Sequence, residues 1–109
     1  MSELPQIFVY KGRLKDGVAA TYTKMHDEMP EDVLQVYRDN GFIDIRIYRA
    51  DDSTEQTLVA FVEPGTDINK SLEEGMKHQC MVDWMAATDK MFAEGGAWVP
   101  LPEIFKFPS

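Results

Sequence analysis

Cysteine is almost absent from this sequence, since Cys80 is the only one in 109 residues. A lone cysteine cannot form an intramolecular disulfide, and a chain of this length can bury a core without one. A reducing compartment is therefore the expected setting, and the cytoplasm is the predicted location. Long apolar runs are also missing, since none approaches the roughly 20 residues that a membrane-spanning helix needs. The first residues lack the basic segment and apolar stretch of a secretion signal, so we expect neither export nor a membrane anchor.

Basic residues are few as well. Eleven lysines and arginines stand against nineteen acids, which gives a formal net charge of −8. That charge repels the phosphates of nucleic acids and the surface of an anionic membrane, so neither is an expected partner. A neutral small molecule remains compatible, because global charge matters little to an uncharged ligand.

Hydrophobic periodicity predicts alternating strands and helices. Residues 42–49 alternate isoleucine with polar side chains, as expected of a strand with two unlike faces. A helical apolar stripe begins at Val18, and Pro30 is able to break or restart that helix. A second helical region begins near Asp67 and is open to interruption at Gly75. The other predicted strands are residues 7–11, 57–63 and 103–107.

The order strand, helix, strand, strand, helix, strand predicts an α+β fold of the ferredoxin-like βαββαβ type. In this fold two helices cover one face of a four-stranded antiparallel sheet. No linker or repeat divides the chain, so residues 1–109 are expected to form one domain. The second face of the sheet has no helix left to cover it, and pairing two sheets face to face in a homodimer would bury it.

Tyr22 and His26 lie four residues apart, which places both on one face of the first predicted helix. An imidazole can donate and accept protons near neutral pH, and a phenol can hydrogen-bond a ligand hydroxyl or relay a proton. The same spacing also fits a packed tyrosine and a partly buried histidine that catalyse nothing. Spacing alone leaves both interpretations open.

His78 and Cys80 make a weaker pair, because side chains two residues apart on a helix face different directions. Structural zinc usually takes four ligands, so no metal site is predicted. No base adjacent in the sequence would activate Cys80 as a nucleophile, and a packed small side chain is the simpler interpretation. Trp84 lies on the apolar stripe of the second helical region, where it either fills the core or stacks on a ligand.

Four segments are informative together: IFVYKGRLKDGVAATYTKMH, NGFIDIRIY, QCMVDWMAATDKMF and LPEIFKF. They resemble the L-rhamnose mutarotase family over nearly the whole chain. The resemblance implies a dimeric α/β barrel of ferredoxin-like subunits, a monosaccharide substrate, a homodimer, and no cofactor or metal. It also implies that His26 is the proton donor and that Tyr22 contacts the sugar.

The sequence departs from the family pattern at positions that line the sugar site. A Trp-Trp pair of the family reads Asp83-Trp84 here, so only Trp84 carries over. A rhamnose-binding tyrosine of the second strand falls at Ile45, and the segment after His26 lacks the family's tryptophan. The implied substrate is therefore a 6-deoxy-hexose, and L-fucose, which other members of the family accept, is a candidate beside L-rhamnose.

The implied reaction interconverts α and β pyranose anomers by opening and closing the ring, which needs only proton transfers. His26 would be the acid/base, Tyr22 would orient the sugar or relay a proton, and Trp84 would offer an aromatic wall. A non-catalytic small-molecule-binding module and a cofactor-free monooxygenase remain alternatives on the same fold. The candidates for the second polar group, which the sequence does not rank, are Asp27, Asp83 and Arg46.

Overall fold

The structure, a computed structural model, describes residues 7–51, 55–94 and 97–107. It confirms the α+β class and the predicted order of strands and helices, with each predicted helical region divided into two helices. The elements are β1 (Phe8–Leu14), α1 (Ala19–Asp27), α2 (Glu31–Asp39), β2 (Phe42–Arg49), β3 (Gln56–Pro64), α3 (Ile68–Gly75), α4 (Gln79–Asp89) and β4 (Val99–Pro100).

Backbone geometry at two positions explains why the helical regions are divided. Pro30 is extended, with φ −58° and ψ 139°, and its carbonyl accepts the first hydrogen bonds of α2 from Val33 and Leu34. A proline ring lacks an N–H and does not continue the preceding helix. His78 is also extended, with ψ 128°, and separates α3 from α4. In the described part of the chain, no helix has the length and apolar content to cross a bilayer.

The four strands form one antiparallel sheet in the order β2-β3-β1-β4. Ala60 in β3 is aligned with Tyr10 of β1 on one side and with Ile47 of β2 on the other. An irregularity between Phe42 and Asp44 shifts the register at the start of β2. The long strand β2 therefore forms one edge of the sheet, and the two-residue strand β4 forms the other.

The last strand differs from the sequence prediction. A strand was predicted at residues 103–107, but β4 covers only Val99 and Pro100, and the backbone N–H of Leu101 donates the next hydrogen bond, to the Val9 carbonyl at 2.8 Å. Pairing with β1 ends at this bond, close to the first residue of β1, Phe8. The predicted strand is therefore wrong within the single chain, where residues 103–107 are exposed and lie outside the sheet.

The helices cover one face of the sheet and leave the other face open. Tyr48 and Phe61 point away from the helices, are 50% and 39% exposed, and contact each other edge to face. A second apolar cluster, between the helices, contains Val33, Val36, Met81 and Trp84. The core between helices and sheet contains Leu14, Ala19, Tyr22, Leu58 and Phe92.

Gly12 allows β1 to approach that core closely. A Cβ atom at this position would lie 2.7 Å from Phe92 Cε1 and 3.1 Å from Trp98 Cε3. Gly12→Ala is therefore expected to lower the free energy of unfolding by about 1–3 kcal/mol through overpacking. Urea unfolding, monitored by circular dichroism at a fixed protein concentration, measures this change in the free energy of unfolding.

Gly75→Ala is the matched control, because its Cβ would meet only Val36 Cγ1, at 3.7 Å. This change should leave stability unchanged or raise it by up to about 1 kcal/mol, since alanine has the higher helix propensity. Equal stability of the Gly12→Ala variant and the unmodified protein would contradict the packing argument.

Candidate active site

A cavity of about 500 Å³ lies between the α1–α2 pair and the edge strand β2. Helix α1 contributes Tyr22 and His26 to its lining, α2 contributes Tyr37, and β2 contributes Ile45 and Arg49. Cavities of roughly 300–1,000 Å³ with a mainly apolar lining and a few polar groups are typical of small-molecule sites. This cavity is therefore the candidate active site.

A hydrogen bond to the helix backbone holds the imidazole of His26. Its Nδ1 lies 2.8 Å from the carbonyl oxygen of Tyr22, one helical turn earlier. A carbonyl oxygen only accepts hydrogen bonds, so Nδ1 must carry the hydrogen and donate it. In the neutral ring Nε2 is then an acceptor, and in the protonated ring it is a donor. The arrangement leaves one ring nitrogen for a ligand.

Two aromatic rings fix the plane of this imidazole. The His26 ring lies 4.3 Å from the Tyr22 ring between centroids and meets Trp84 edge-on at 5.1 Å. Trp84 is buried in the helix–helix cluster, so the contact joins α1 to α4. His26 is itself half-buried at the cavity wall, which limits the number of orientations its ring can adopt.

Tyr22 and Tyr37 bring two phenols to the same cavity. Burial raises the pKa of both phenols, and the proximity of Tyr37 raises that of Tyr22 further. Both phenols therefore stay protonated near neutral pH and can donate hydrogen bonds. Neither hydroxyl is hydrogen-bonded to a residue in the described ranges, so both are available to a ligand.

The structure brings some of the predicted site residues together and separates others. Asp27 lines the cavity beside His26, and Trp84 packs against the imidazole from the helix side. Asp83 is exposed on α4, outside the cavity lining, where its carboxylate accepts a hydrogen bond from Gln79 at 2.8 Å. Arg46 points to the opposite face of the sheet and pairs with Asp44 at 3.0 Å.

Sequence reasoning missed Tyr37 and Arg49. Arg49 lies on the helix-facing side of β2 with Ile45 and Ile47, and its guanidinium forms an ion pair with Asp51. Strand alternation was the signal that could have found it, because residues 45, 47 and 49 must share one face. Tyr37 follows Val33 by four residues, so the apolar stripe of α2 pointed to burial, but nothing local pointed to the cavity.

Within residues 7–51, 55–94 and 97–107, no group of three histidine, cysteine, aspartate or glutamate side chains could hold an ion. Cys80 is half-buried and packs against the cluster between the helices.

The fold and the site define a class of protein. Its members are ferredoxin-like and have a histidine in a cavity between the helices and an edge strand. The sequence model of the L-rhamnose mutarotase family matches residues 8–107, and the chain belongs to this family. Family membership supports the interconversion of sugar anomers, which is an isomerase activity. No curated protein matches the sequence at a significant level.

Two solved structures illustrate how widely the fold is shared. The L-rhamnose mutarotase from Formosa agariphila is 21% identical, with a TM-score of 0.71 over 94% of this chain and 98% of that one. SnoaB, a cofactor-independent oxygenase from Streptomyces nogalater, is 11% identical, with a TM-score of 0.64 over 94% and 96% of the two chains. At these identities the likeness shows the fold alone.

Because the phenol of Tyr22 is buried, the free energy of unfolding is expected to change with pH in the alkaline range. Its pKa is raised above the ordinary value of about 10, so the folded state keeps a proton that the unfolded chain releases. The contribution is fully present below about pH 10 and is lost as pH rises above it. The free energy of unfolding should therefore fall less steeply above pH 10 in Tyr22→Phe than in the unmodified protein.

Urea unfolding between pH 8 and pH 11 measures this slope. Tyr48→Phe is the matched comparison, because it also removes one phenol, but one that is exposed on the opposite face of the sheet. Identical slopes in all three proteins would argue against a buried phenol at position 22.

Proposed function

We propose that this protein is a mutarotase that interconverts the α and β anomers of a 6-deoxy-hexose pyranose, L-fucose or L-rhamnose. The observation that carries the proposal is the hydrogen bond from His26 Nδ1 to the Tyr22 carbonyl. Within the described residues Nε2 has no hydrogen-bond partner, and His26 lines a cavity large enough for a monosaccharide. An imidazole presented in this way can serve as both acid and base.

The chemistry needs two proton transfers at the sugar. One group removes the proton from the anomeric hydroxyl, another protonates the ring oxygen, and the bond between C1 and the ring oxygen breaks to give the aldehyde. Rotation about C1–C2 presents the other carbonyl face, and the reverse transfers close the ring. Every proton taken is returned within a cycle, so the protein needs only well-placed acids and bases.

The roles of the other side chains follow from their positions. Tyr22 stays protonated and would donate a hydrogen bond to the sugar, which orients it against His26. Asp27 is the proposed second proton-transfer group, because it lines the same cavity while Asp83 and Arg46 lie elsewhere. Trp84 is buried between the helices and does not line the cavity, so it would position the imidazole of His26 through their edge-on contact and not form a wall against the sugar.

The proposed active form is a homodimer in which two sheets pack face to face. The exposed aromatic pair of Tyr48 and Phe61 supports it, because an apolar sheet face open to water is costly. A cytoplasmic location is part of the proposal, because the lone Cys80 suits a reducing compartment.

His26→Ala is expected to lower the rate of enzyme-catalysed anomer exchange by about 10²–10⁴-fold, since it removes the acid/base. NMR exchange spectroscopy between the α and β anomer signals of L-fucose and L-rhamnose measures the rate. Full activity in this variant would exclude the role of His26.

His78→Ala is the matched control, because His78 is exposed at the start of α4, away from the cavity. It should keep full activity. Unmodified protein that binds sugar without speeding exchange would instead point to a binding module. If the protein does not speed anomer exchange of any sugar but consumes oxygen with an aromatic substrate, the result would point to a monooxygenase.

Ile45 offers a test of sugar preference, because it lines the cavity at the position where the family has a rhamnose-binding tyrosine. Ile45→Tyr is expected to raise kcat/KM for L-rhamnose relative to L-fucose several-fold, since a new phenol can hydrogen-bond the sugar. Anomer-exchange rates over a range of sugar concentrations give this ratio.

Arg46→Tyr is the neighbouring control. Its side chain points to the other face of the sheet, so the ratio for the two sugars should not change. An unchanged ratio in Ile45→Tyr would show that position 45 does not select the sugar.

A further inference from the structure

Tyr37, on helix α2, lines the cavity that contains His26 but takes no part in the proposed proton transfers. Its side chain is half-buried. Its hydroxyl has no hydrogen-bond partner among residues 7–51, 55–94 and 97–107. A free phenol donor on the wall of a small-molecule cavity is a candidate ligand contact.

Contacts on two sides hold the ring of Tyr37 in place. The ring packs edge to face against Phe42 at the start of β2, with 5.4 Å between centroids and an interplanar angle of 89°. It also packs against the cluster between the helices, which contains Val33 and Val36. Because a phenol oxygen lies on the axis of its ring, holding the ring also fixes the position of the hydroxyl.

Solvent reaches the hydroxyl of Tyr37. In the described part of the chain, the only fully buried side-chain nitrogen or oxygen without a partner is Oε1 of Gln56. Since the Tyr37 hydroxyl also lacks a partner, it must border accessible space. Burial and, after it, the proximity of Tyr37 raise the pKa of Tyr22, so the two phenols lie near each other at the cavity wall. Burial also raises the pKa of Tyr37, which keeps its hydroxyl a hydrogen-bond donor near neutral pH.

The ring of Tyr37 occupies a different part of the cavity wall from the imidazole. The imidazole of His26 meets the rings of Tyr22 and Trp84, whereas the ring of Tyr37 meets Phe42. A sugar that reacts at His26 must bring its anomeric hydroxyl and its ring oxygen to the imidazole. In a pyranose, C4 lies opposite C1 and C3 lies opposite the ring oxygen. The hydroxyls at C3 and C4 therefore face the remainder of the wall.

We propose that Tyr37 is a substrate-binding residue whose phenol donates a hydrogen bond to the sugar hydroxyl at C3 or C4 while His26 acts at the anomeric centre. The inference rests on the proposed mutarotase function and adds a contact on the far side of the ring. A fixed donor favours the sugar whose hydroxyl points toward it and disfavours a sugar that leaves it unpaired. L-fucose and L-rhamnose differ in configuration at C2 and C4, so a contact at C4 would discriminate between them.

Tyr37→Phe tests the proposal, because it removes the hydroxyl and keeps the ring. With whichever of L-fucose and L-rhamnose the unmodified protein exchanges faster, the variant should lower kcat/KM for anomer exchange by about 3–10-fold, as expected for the loss of one hydrogen bond between neutral groups. The loss should disappear for either the 3-deoxy or the 4-deoxy analogue of that sugar, since one of them lacks the partner hydroxyl. The 2-deoxy analogue keeps the contact and should show the full loss. NMR exchange spectroscopy over a range of sugar concentrations gives each ratio of variant to unmodified protein.

Tyr10→Phe is the matched control, because Tyr10 is also half-buried but lies on β1, outside the cavity lining. It should keep the original kcat/KM for every sugar. Full activity in Tyr37→Phe, or the same loss with all three deoxy analogues, would overturn the proposal, and the second result would show that the hydroxyl acts only through the fold.

A measurement on the unmodified protein keeps the proposal testable if Tyr37→Phe does not fold. After correction for the uncatalysed rates, kcat/KM for the 3-deoxy or the 4-deoxy analogue should lie about 3–10-fold below that of the parent sugar. Equal values for all three sugars would overturn the contact. Unmodified protein that speeds the exchange of no sugar would refute the mutarotase function and this contact with it, whereas exchange that is unchanged in Tyr37→Phe would refute the contact alone.

Discussion

The orientation of one imidazole depends on the helical state of α1. The bond from His26 Nδ1 to the Tyr22 carbonyl exists because a helix brings side chain and carbonyl together over one turn. Tyr22 also anchors α1, since its ring lies in the core against the sheet. Trp84 then meets the imidazole from α4. Helix, sheet and second helix together select one orientation for a side chain that would otherwise sample several rotamers.

Coverage of the sheet by helices on one face only has two consequences. Four short helices cover one face, and the space between α1, α2 and β2 becomes the cavity. Among the described residues, nothing covers the opposite face of the sheet or pairs with the free edge of β2, and the apolar side chains of residues 103–107 are exposed. A second copy would cover the open face, which links the proposed active site to the proposed assembly.

The cavity chemistry suits an uncharged, hydroxyl-rich ligand. Two protonated phenols and one imidazole nitrogen are available as hydrogen-bonding groups, while Ile45 and Ile47 provide apolar surface. The strongly negative net charge, −8, does not penalise a neutral sugar. Ile45 brings no hydroxyl to this wall, so the local balance of polar and apolar contacts would decide which sugar the proposed mutarotase prefers.

Local pattern was enough for much of the fold. The alternation in residues 42–49, the helical stripes and the breaks at Pro30 and Gly75 all depend on neighbours within a few residues, which is the range over which periodicity acts. The proximity of Tyr22 and His26 on one helix face is also a local feature, since it depends only on their spacing of four residues. The separation of Arg46 from Ile45 was also readable, since adjacent strand residues face opposite ways. Likewise, Asp83 and Trp84 are adjacent on a helix, and adjacent helix residues point in different directions.

Other features depended on contacts between distant segments. Only the folded chain brings Tyr37 and Arg49 to the cavity that contains His26, because the packing of α2 against β2 decides this. The segment at residues 103–107 has the composition of a strand, yet a strand also needs a backbone to pair with, and sheet order decides whether one is in reach. The sequence by itself determined the helices, three of the strands and the chemical groups available. Tertiary structure decided which groups meet and which edge stays open, since both depend on long-range packing that no local pattern encodes.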